Sequence, residues 1–157
     1  MAEDDSSDLG SDVAGRYGGR VTADGGAVAD NDDRVAAGLR RYREVYGDDA
    51  VVFPPGQAPF FDLMMEHVFD AVWSRPGLDI DERRLLTMGV LAAQYRFDVL
   101  QLQFERAIVT GELTAEQVRE VVIHLIPYVG YPSSGAIFAA GEQAIVATSA
   151  EANGSDA

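Results

Sequence analysis

Arg75-Pro76-Gly77 interrupts a long helical pattern, and the residues on either side of this break constrain what the chain can fold into. Proline lacks an N–H and its ring clashes with the preceding turn, while glycine adds backbone freedom, so a helix ending near Trp73 stops here. Asp79 then offers an acceptor to the free N–H groups of the next helix, and Glu82, three residues on, reaches back in a capping-box arrangement. A new helix is predicted from Ile80.

The same alternation of helix and break runs along the chain. Val35, Leu39, Tyr42 and Val45 recur at three- and four-residue steps, and Phe60, Phe61, Leu63, Met64, Val68, Phe69, Val72 and Trp73 mark a second, broader apolar face. Between them Val51-Val52-Phe53-Pro54-Pro55-Gly56 allows only an extended crossing. Ile80 to about Tyr95 is apolar nearly all round, which predicts a central helix buried by its neighbours. Phe97 to Thr110 follows with Gly111 as its C-terminal cap, and Thr114 with Gln117 forms a second capping box. After the break Tyr128-Val129-Gly130-Tyr131-Pro132, Ala136 to Ala147 reads as a last helix of small residues. The expected fold is all-α, a bundle of about six helices over residues 34–147. Residues 1–33 hold nine acids, two arginines and few large apolar side chains, and are read as an acidic flexible tail. Residues 148–157 are read as a flexible C-terminal tail.

Composition removes several chemistries. All 12 basic residues are arginines, so no lysine is present to form a Schiff base and a lysine-held pyridoxal cofactor is excluded. With no cysteine there is no disulfide, thiol nucleophile, thiolate metal site or Cys-x-x-Cys centre. His67 and His124, the two histidines, cannot build a three-histidine zinc site within one chain, and a histidine–carboxylate site stays open. A formal charge of −14 argues against nucleic acid or an anionic membrane as partner. No apolar run approaches a membrane span and no signal peptide is visible, so a cytoplasmic location is expected.

Five segments carry a family resemblance: Val72-Trp73-Ser74-Arg75-Pro76-Gly77-Leu78-Asp79, Arg83-Arg84-Leu85-Leu86-Thr87, Ala107-Ile108-Val109-Thr110-Gly111-Glu112-Leu113-Thr114, Glu116-Gln117-Val118-Arg119-Glu120-Val121 and Tyr128-Val129-Gly130-Tyr131-Pro132. In this order and spacing the chain resembles the carboxymuconolactone decarboxylase family. The resemblance implies an alkylhydroperoxidase D-like helical fold, assembly into trimers or hexamers, pockets near the subunit contacts, and no cofactor in the decarboxylating branch. It also implies two activities, peroxide reduction by a Cys-x-x-Cys…His centre and decarboxylation of a lactone diacid. The redox cysteines would fall at Arg96 and Val99, which excludes the first. The accompanying histidine would fall at Gln103, a second near Ser134 or Gly135, and a glycine at Tyr95, so this sequence departs from the family at all three.

The remaining polar residues still permit proton transfer on an acidic substrate. Arg83 matches the family's arginine on the central helix; it either binds a carboxylate with two parallel hydrogen bonds or pairs with an acid such as Glu120. His124, four residues after Glu120 on one helix face, is either a carboxylate-oriented acid–base group or half of a surface pair. His67 on its amphipathic helix is a catalytic or a structural, partly buried histidine. Gln103, Tyr95, Tyr128, Tyr131 and Trp73 are candidates to line a substrate pocket or to serve in packing. Two functions stay open. One is a cofactor-independent enzyme that decarboxylates a small acidic or polyketide-like metabolite, or performs a related proton-transfer, isomerisation or ring-closing step. The other is a catalytically silent small-molecule binder or oligomeric partner.

Overall fold

The computed structural model describes residues 27–154, and every regular element among them is helical. α1 spans Ala27–Tyr46, and α2, Pro59–Met64, runs directly into a π-helical segment, Met65–Trp73. α3 is Ile80–Ala93, α4 Phe97–Val109 and α5 Ala115–Val129; a 3-10 turn at Tyr131–Ser133 leads into α6, Ser134–Gly154. The all-α expectation therefore holds.

Two boundaries differ from expectation. α1 takes up residues 27–33 as well, with Arg43 in its last turn suiting the helix dipole; residues 1–26 lie outside the described residues. α6 continues past Thr148, whose hydroxyl donates to the Ala144 carbonyl at 2.9 Å, through an alanine-rich stretch that favours helix.

The breaks act as their residues dictate. Pro76 and Gly77 end the second helix, and the Asp79 N–H donates to the Glu82 carboxylate at 2.8 Å as the capping box requires. Thr114 and Gln117 cap α5 in the same way. The π-helical turn was not predicted, and it has a packing consequence. Phe61, Met65, Phe69 and Trp73 are all buried, four residues apart. In an α-helix each such step turns the side chain by about 40°; the wider π turn keeps all four on one face. Opposite them α1 comes so close that a Cβ on Gly38 would lie 2.0 Å from the Met65 carbonyl oxygen.

Two apolar clusters result. The first joins Val35 and Val45 of α1 to Phe61, Met65, Phe69 and Trp73, so α1, α2 and the π-helical segment form a hairpin. Tyr42 adds edge-on ring contacts to Phe61 and Phe69 at 5.7 and 4.9 Å. The second cluster unites α3 to α6 through Met88, Leu100, Phe104, Val118, Val122 and Ile137.

α3 corrects the expectation of a helix buried all round. Its inward face is Arg84, Met88 and Ala92, whereas Leu85, Leu86 and Val90 are exposed. Among the described residues α3 has neighbours on the side that meets α4, α5 and the hairpin, and Leu85, Leu86 and Val90 on its other side stay uncovered.

Tyr95 follows α3 at φ 59°, the left-handed conformation where a glycine commonly ends a helix. A Cβ there costs roughly 1–2 kcal/mol. Tyr95 is 63% exposed, and among the described residues its one ring-to-ring contact is with Phe97, so little packing offsets the strain. Tyr95→Gly is expected to raise the unfolding free energy by about 1 kcal/mol in urea titration; a less stable variant would contradict this account.

Candidate active site at the junction of the two clusters

The hairpin and the four-helix unit meet over Ile80, which packs against the first cluster, and otherwise over polar groups. Arg84 stands at the centre, 1% exposed. Its Nη2 donates to the Val45 carbonyl at 2.7 Å and to Glu112 Oε1 at 2.9 Å, its Nε to Glu112 Oε2 at 2.5 Å, and its Nη1 to Gln103 Oε1 at 2.9 Å. A guanidinium can only donate, so Gln103 must turn its oxygen to Arg84 and its amide nitrogen away. That nitrogen donates to the Tyr46 hydroxyl at 2.7 Å. Gln103 is itself 1% exposed, and this chain of bonds satisfies both ends of its amide. Glu112 also accepts from the Thr110 hydroxyl at 2.8 Å. Farther out, Arg106 and Asp49 form a two-bond pair at 2.9 and 3.0 Å across the same junction. The hydrogen bonds from Arg106 hold the Asp49 carboxyl below the usual carboxylate range, and the arginine's charge adds to the effect.

Glu112, with 14% of its side chain exposed, carries the network to a cavity of about 600 Å³. Arg41, Glu44, Trp73 and Arg75 line it from the hairpin side, and Asp79, Ile80, Asp81, Thr110 and Glu112 from the four-helix side, so its wall carries two arginines and four carboxylates. Arg41 pairs with Glu44 at 2.7 Å. The Arg75 guanidinium meets no acceptor among the described residues.

Of the residues singled out in the sequence, Trp73 lies in this cavity wall and Gln103 in the network behind it. Arg83 does not join them. Its Nη2 donates to the Arg75 carbonyl at 2.7 Å and its Nε to the Leu78 carbonyl at 3.2 Å, closing the turn ahead of α3. Among the described residues it makes no pair with Glu120. His67 is largely exposed on the π-helical segment, with Nε2 4.0 Å from Glu66, rather than partly buried. His124 and Glu120 share an open groove of about 840 Å³ between α3 and α5, floored by Leu85, Leu86 and Leu125. No hydrogen bond or ion pair joins them among the described residues; His124 instead lies ring to ring with Tyr128 at 5.1 Å. Tyr95, Tyr128 and Tyr131 are exposed. The structure thus divides the sequence candidates between the junction cavity, the α3–α5 groove and the surface. Among the described residues no group of three or more side chains is placed to hold a metal, and no helix is long and apolar enough to cross a membrane.

The sequence model of the carboxymuconolactone decarboxylase family matches residues 58–143, more than half of the chain. The chain belongs to the carboxymuconolactone decarboxylase family. It is 35% identical over 101 residues to nitrosuccinic acid decarboxylase npaB of Metarhizium robertsii (strain ARSEF 23 / ATCC MYA-3075), over 61% of this chain and 70% of that one. It is 33% identical over 84 residues to 4-carboxymuconolactone decarboxylase of Acinetobacter baylyi (strain ATCC 33305 / BD413 / ADP1), over 54% of this chain and 62% of that one. No solved structure matches the chain.

The carboxymuconolactone decarboxylase segment contains Arg84, Gln103 and Glu112, while Val45, Tyr46 and Arg41 on α1 precede it. The network is therefore built partly from family positions and partly from a helix outside the match. Arg84, Glu112 and Tyr46 were not anticipated from the sequence. One signal was present: residues 84, 88 and 92 fall at four-residue steps, so the arginine that shares a stripe with Met88 and Ala92 is the second of the Arg83-Arg84 pair.

Proposed function

We propose that this member of the family is a cofactor-independent decarboxylase, a carbon–carbon lyase acting on a small carboxylic acid in the junction cavity. What supports this is the set of groups on the cavity wall: Arg75, whose guanidinium meets no acceptor among the described residues, the Trp73 ring and a carboxylate, Glu112, held by a buried arginine. The decarboxylases among the curated relatives point to the same reaction class. The substrates in their names share one chemical trait: a carboxylate on a carbon near a nitro or carbonyl group able to accept an electron pair.

In the proposed reaction Arg75 binds the substrate carboxylate with two parallel hydrogen bonds, while Arg41 stays paired with Glu44 at the rim. Trp73, Ile80 and Leu78 keep water from the departing carboxylate. The bond to that carboxylate breaks, its electron pair passes into the neighbouring acceptor group, and carbon dioxide leaves. One proton is then needed at the carbon, and Glu112, the wall carboxylate fixed by the buried Arg84, relays it from solvent. Without cysteine, the peroxide-reducing chemistry has no nucleophile.

The test is incubation with nitrosuccinic acid and with 4-carboxymuconolactone, following loss of carbon dioxide by mass spectrometry. Arg75→Ala is expected to raise KM about 10- to 100-fold, the worth of a charged hydrogen-bonding pair. Glu112→Gln is expected to lower kcat by roughly 10²-fold or more, with circular dichroism confirming that it folds. If both variants turn over as the parent does, the cavity is not the site. If both acids bind without releasing carbon dioxide, the chain is a binder and not a decarboxylase of these acids.

A further inference from the structure

We infer that Arg84 is a positioning residue: given the decarboxylating cavity proposed above, it fixes Glu112 on the wall only while the N-terminal hairpin is seated on the four-helix unit. Both hydrogens of its Nη2 are committed, one to the Val45 carbonyl at the end of α1 and one to Glu112. Its Nη1 orients Gln103, which holds the Tyr46 hydroxyl at the same end of α1. One buried side chain thus ties the hairpin to the carboxylate. The apolar clusters do not supply this tie, because the first lies within the hairpin except for Ile80 and the second within α3 to α6.

The cavity is divided along the same line. Arg41 and Trp73 come from the hairpin and Glu112 and Thr110 from the loop before α5, so lifting the hairpin opens the cavity and releases the guanidinium that orients Glu112. Polar bonds at such a junction exchange readily with water once parted, whereas each apolar cluster must unfold to expose its side chains. Hairpin seating is accordingly the low-energy opening of this fold, and substrate-site assembly follows it.

The experiment uses the full chain without substrate first. Tyr46→Phe and Gln103→Leu remove the Gln103–Tyr46 branch of the tie, while the Arg84–Val45 bond, the Arg106–Asp49 pair and both apolar clusters stay in place. Amide hydrogen exchange over residues 35–46 is expected to quicken about tenfold in each, with α5 and α6 unchanged. Emission of Trp73, the chain's single tryptophan, is expected to become more open to acrylamide quenching. Equal quickening in all helices, or none anywhere, overturns the hinge. Turnover then tests the coupling: Arg84→Lys and Glu112→Gln are expected to lower kcat by factors that do not multiply in the double variant, since one acts through the other. Multiplying factors overturn the positioning role. Localised exchange with no turnover of either acid by the parent would retain the hinge and reject the decarboxylase, so the two failures are told apart.

Discussion

Arg84→Met is expected to lower the unfolding free energy by about 3–5 kcal/mol, measured by urea titration. Methionine fills much of the volume, so the loss comes from the groups left behind. Glu112 becomes a largely buried carboxylate without its counter-charge, and the Val45 carbonyl and the Gln103 amide oxygen lose their donor. Each buried group stripped of its partner costs about 1–3 kcal/mol, more when charged. The network as a whole adds less than this figure suggests, because desolvating both charges offsets most of their attraction. Arg84→Met/Gln103→Leu/Glu112→Leu, which leaves no orphan charge, is therefore expected to recover much of the stability while abolishing turnover. The exposed Arg119–Glu142 pair provides the contrast, since both side chains remain in water and Arg119→Ala should cause no comparable loss. If Arg84→Met unfolds at the same urea concentration as the parent, the buried network contributes little to stability.

Gly38→Ala decides between two opposed effects. In a solvent-facing helix the change stabilises by about 1 kcal/mol, because glycine is the poorer helix former. Here the new Cβ would stand 2.0 Å from the Met65 carbonyl oxygen and 2.5 Å from its carbon. These are backbone atoms of the opposing helix and cannot rotate aside, so α1 must move off the π-helical segment. Overpacking of this kind costs about 1–3 kcal/mol or more, which exceeds the propensity gain. Gly38→Ala is expected to be destabilised by at least about 1 kcal/mol, with Trp73 more exposed to acrylamide because it sits on the helix that is pushed away. A variant as stable as the parent would show that the two helices slide apart without cost.

Much of the helix pattern was legible because its signals are local. Pro76-Gly77, the Asp79 and Thr114 caps and Gly111 each act on hydrogen-bonding groups within a few residues, and each ends or starts a helix where the sequence places it. Tyr95 is of the same kind: the family pattern has glycine there, and the backbone keeps the left-handed conformation that glycine favours. The site was less legible. Arg83 was chosen over its neighbour by motif, yet adjacent helical residues point about 100° apart, so only one of the two can face inward. Arg84 is that one, because α3 turns the stripe of Met88 and Ala92 toward α4 and α5. Tyr46 and Glu112 carry no motif that links them. They are 66 residues apart in the numbering and meet only through Arg84 and Gln103.

The sequence by itself determined the all-helical class, the position of the helix stops and capped restarts, the family, and the exclusion of thiol and lysine chemistry. Periodicity, capping and composition act within a turn or two or across the whole chain, and both ranges can be read along one strand of text. Only the tertiary structure decided which arginine is buried, that the chain folds into two apolar clusters rather than one, and that a polar network joins them beside a cavity. It also separated His124 and Glu120 from Gln103 and tied the Arg83 side chain to the turn ahead of α3. These outcomes depend on how helices distant in sequence pack. A guanidinium has five donors to place, and where its acceptors lie is fixed by that packing rather than by its neighbours in the chain.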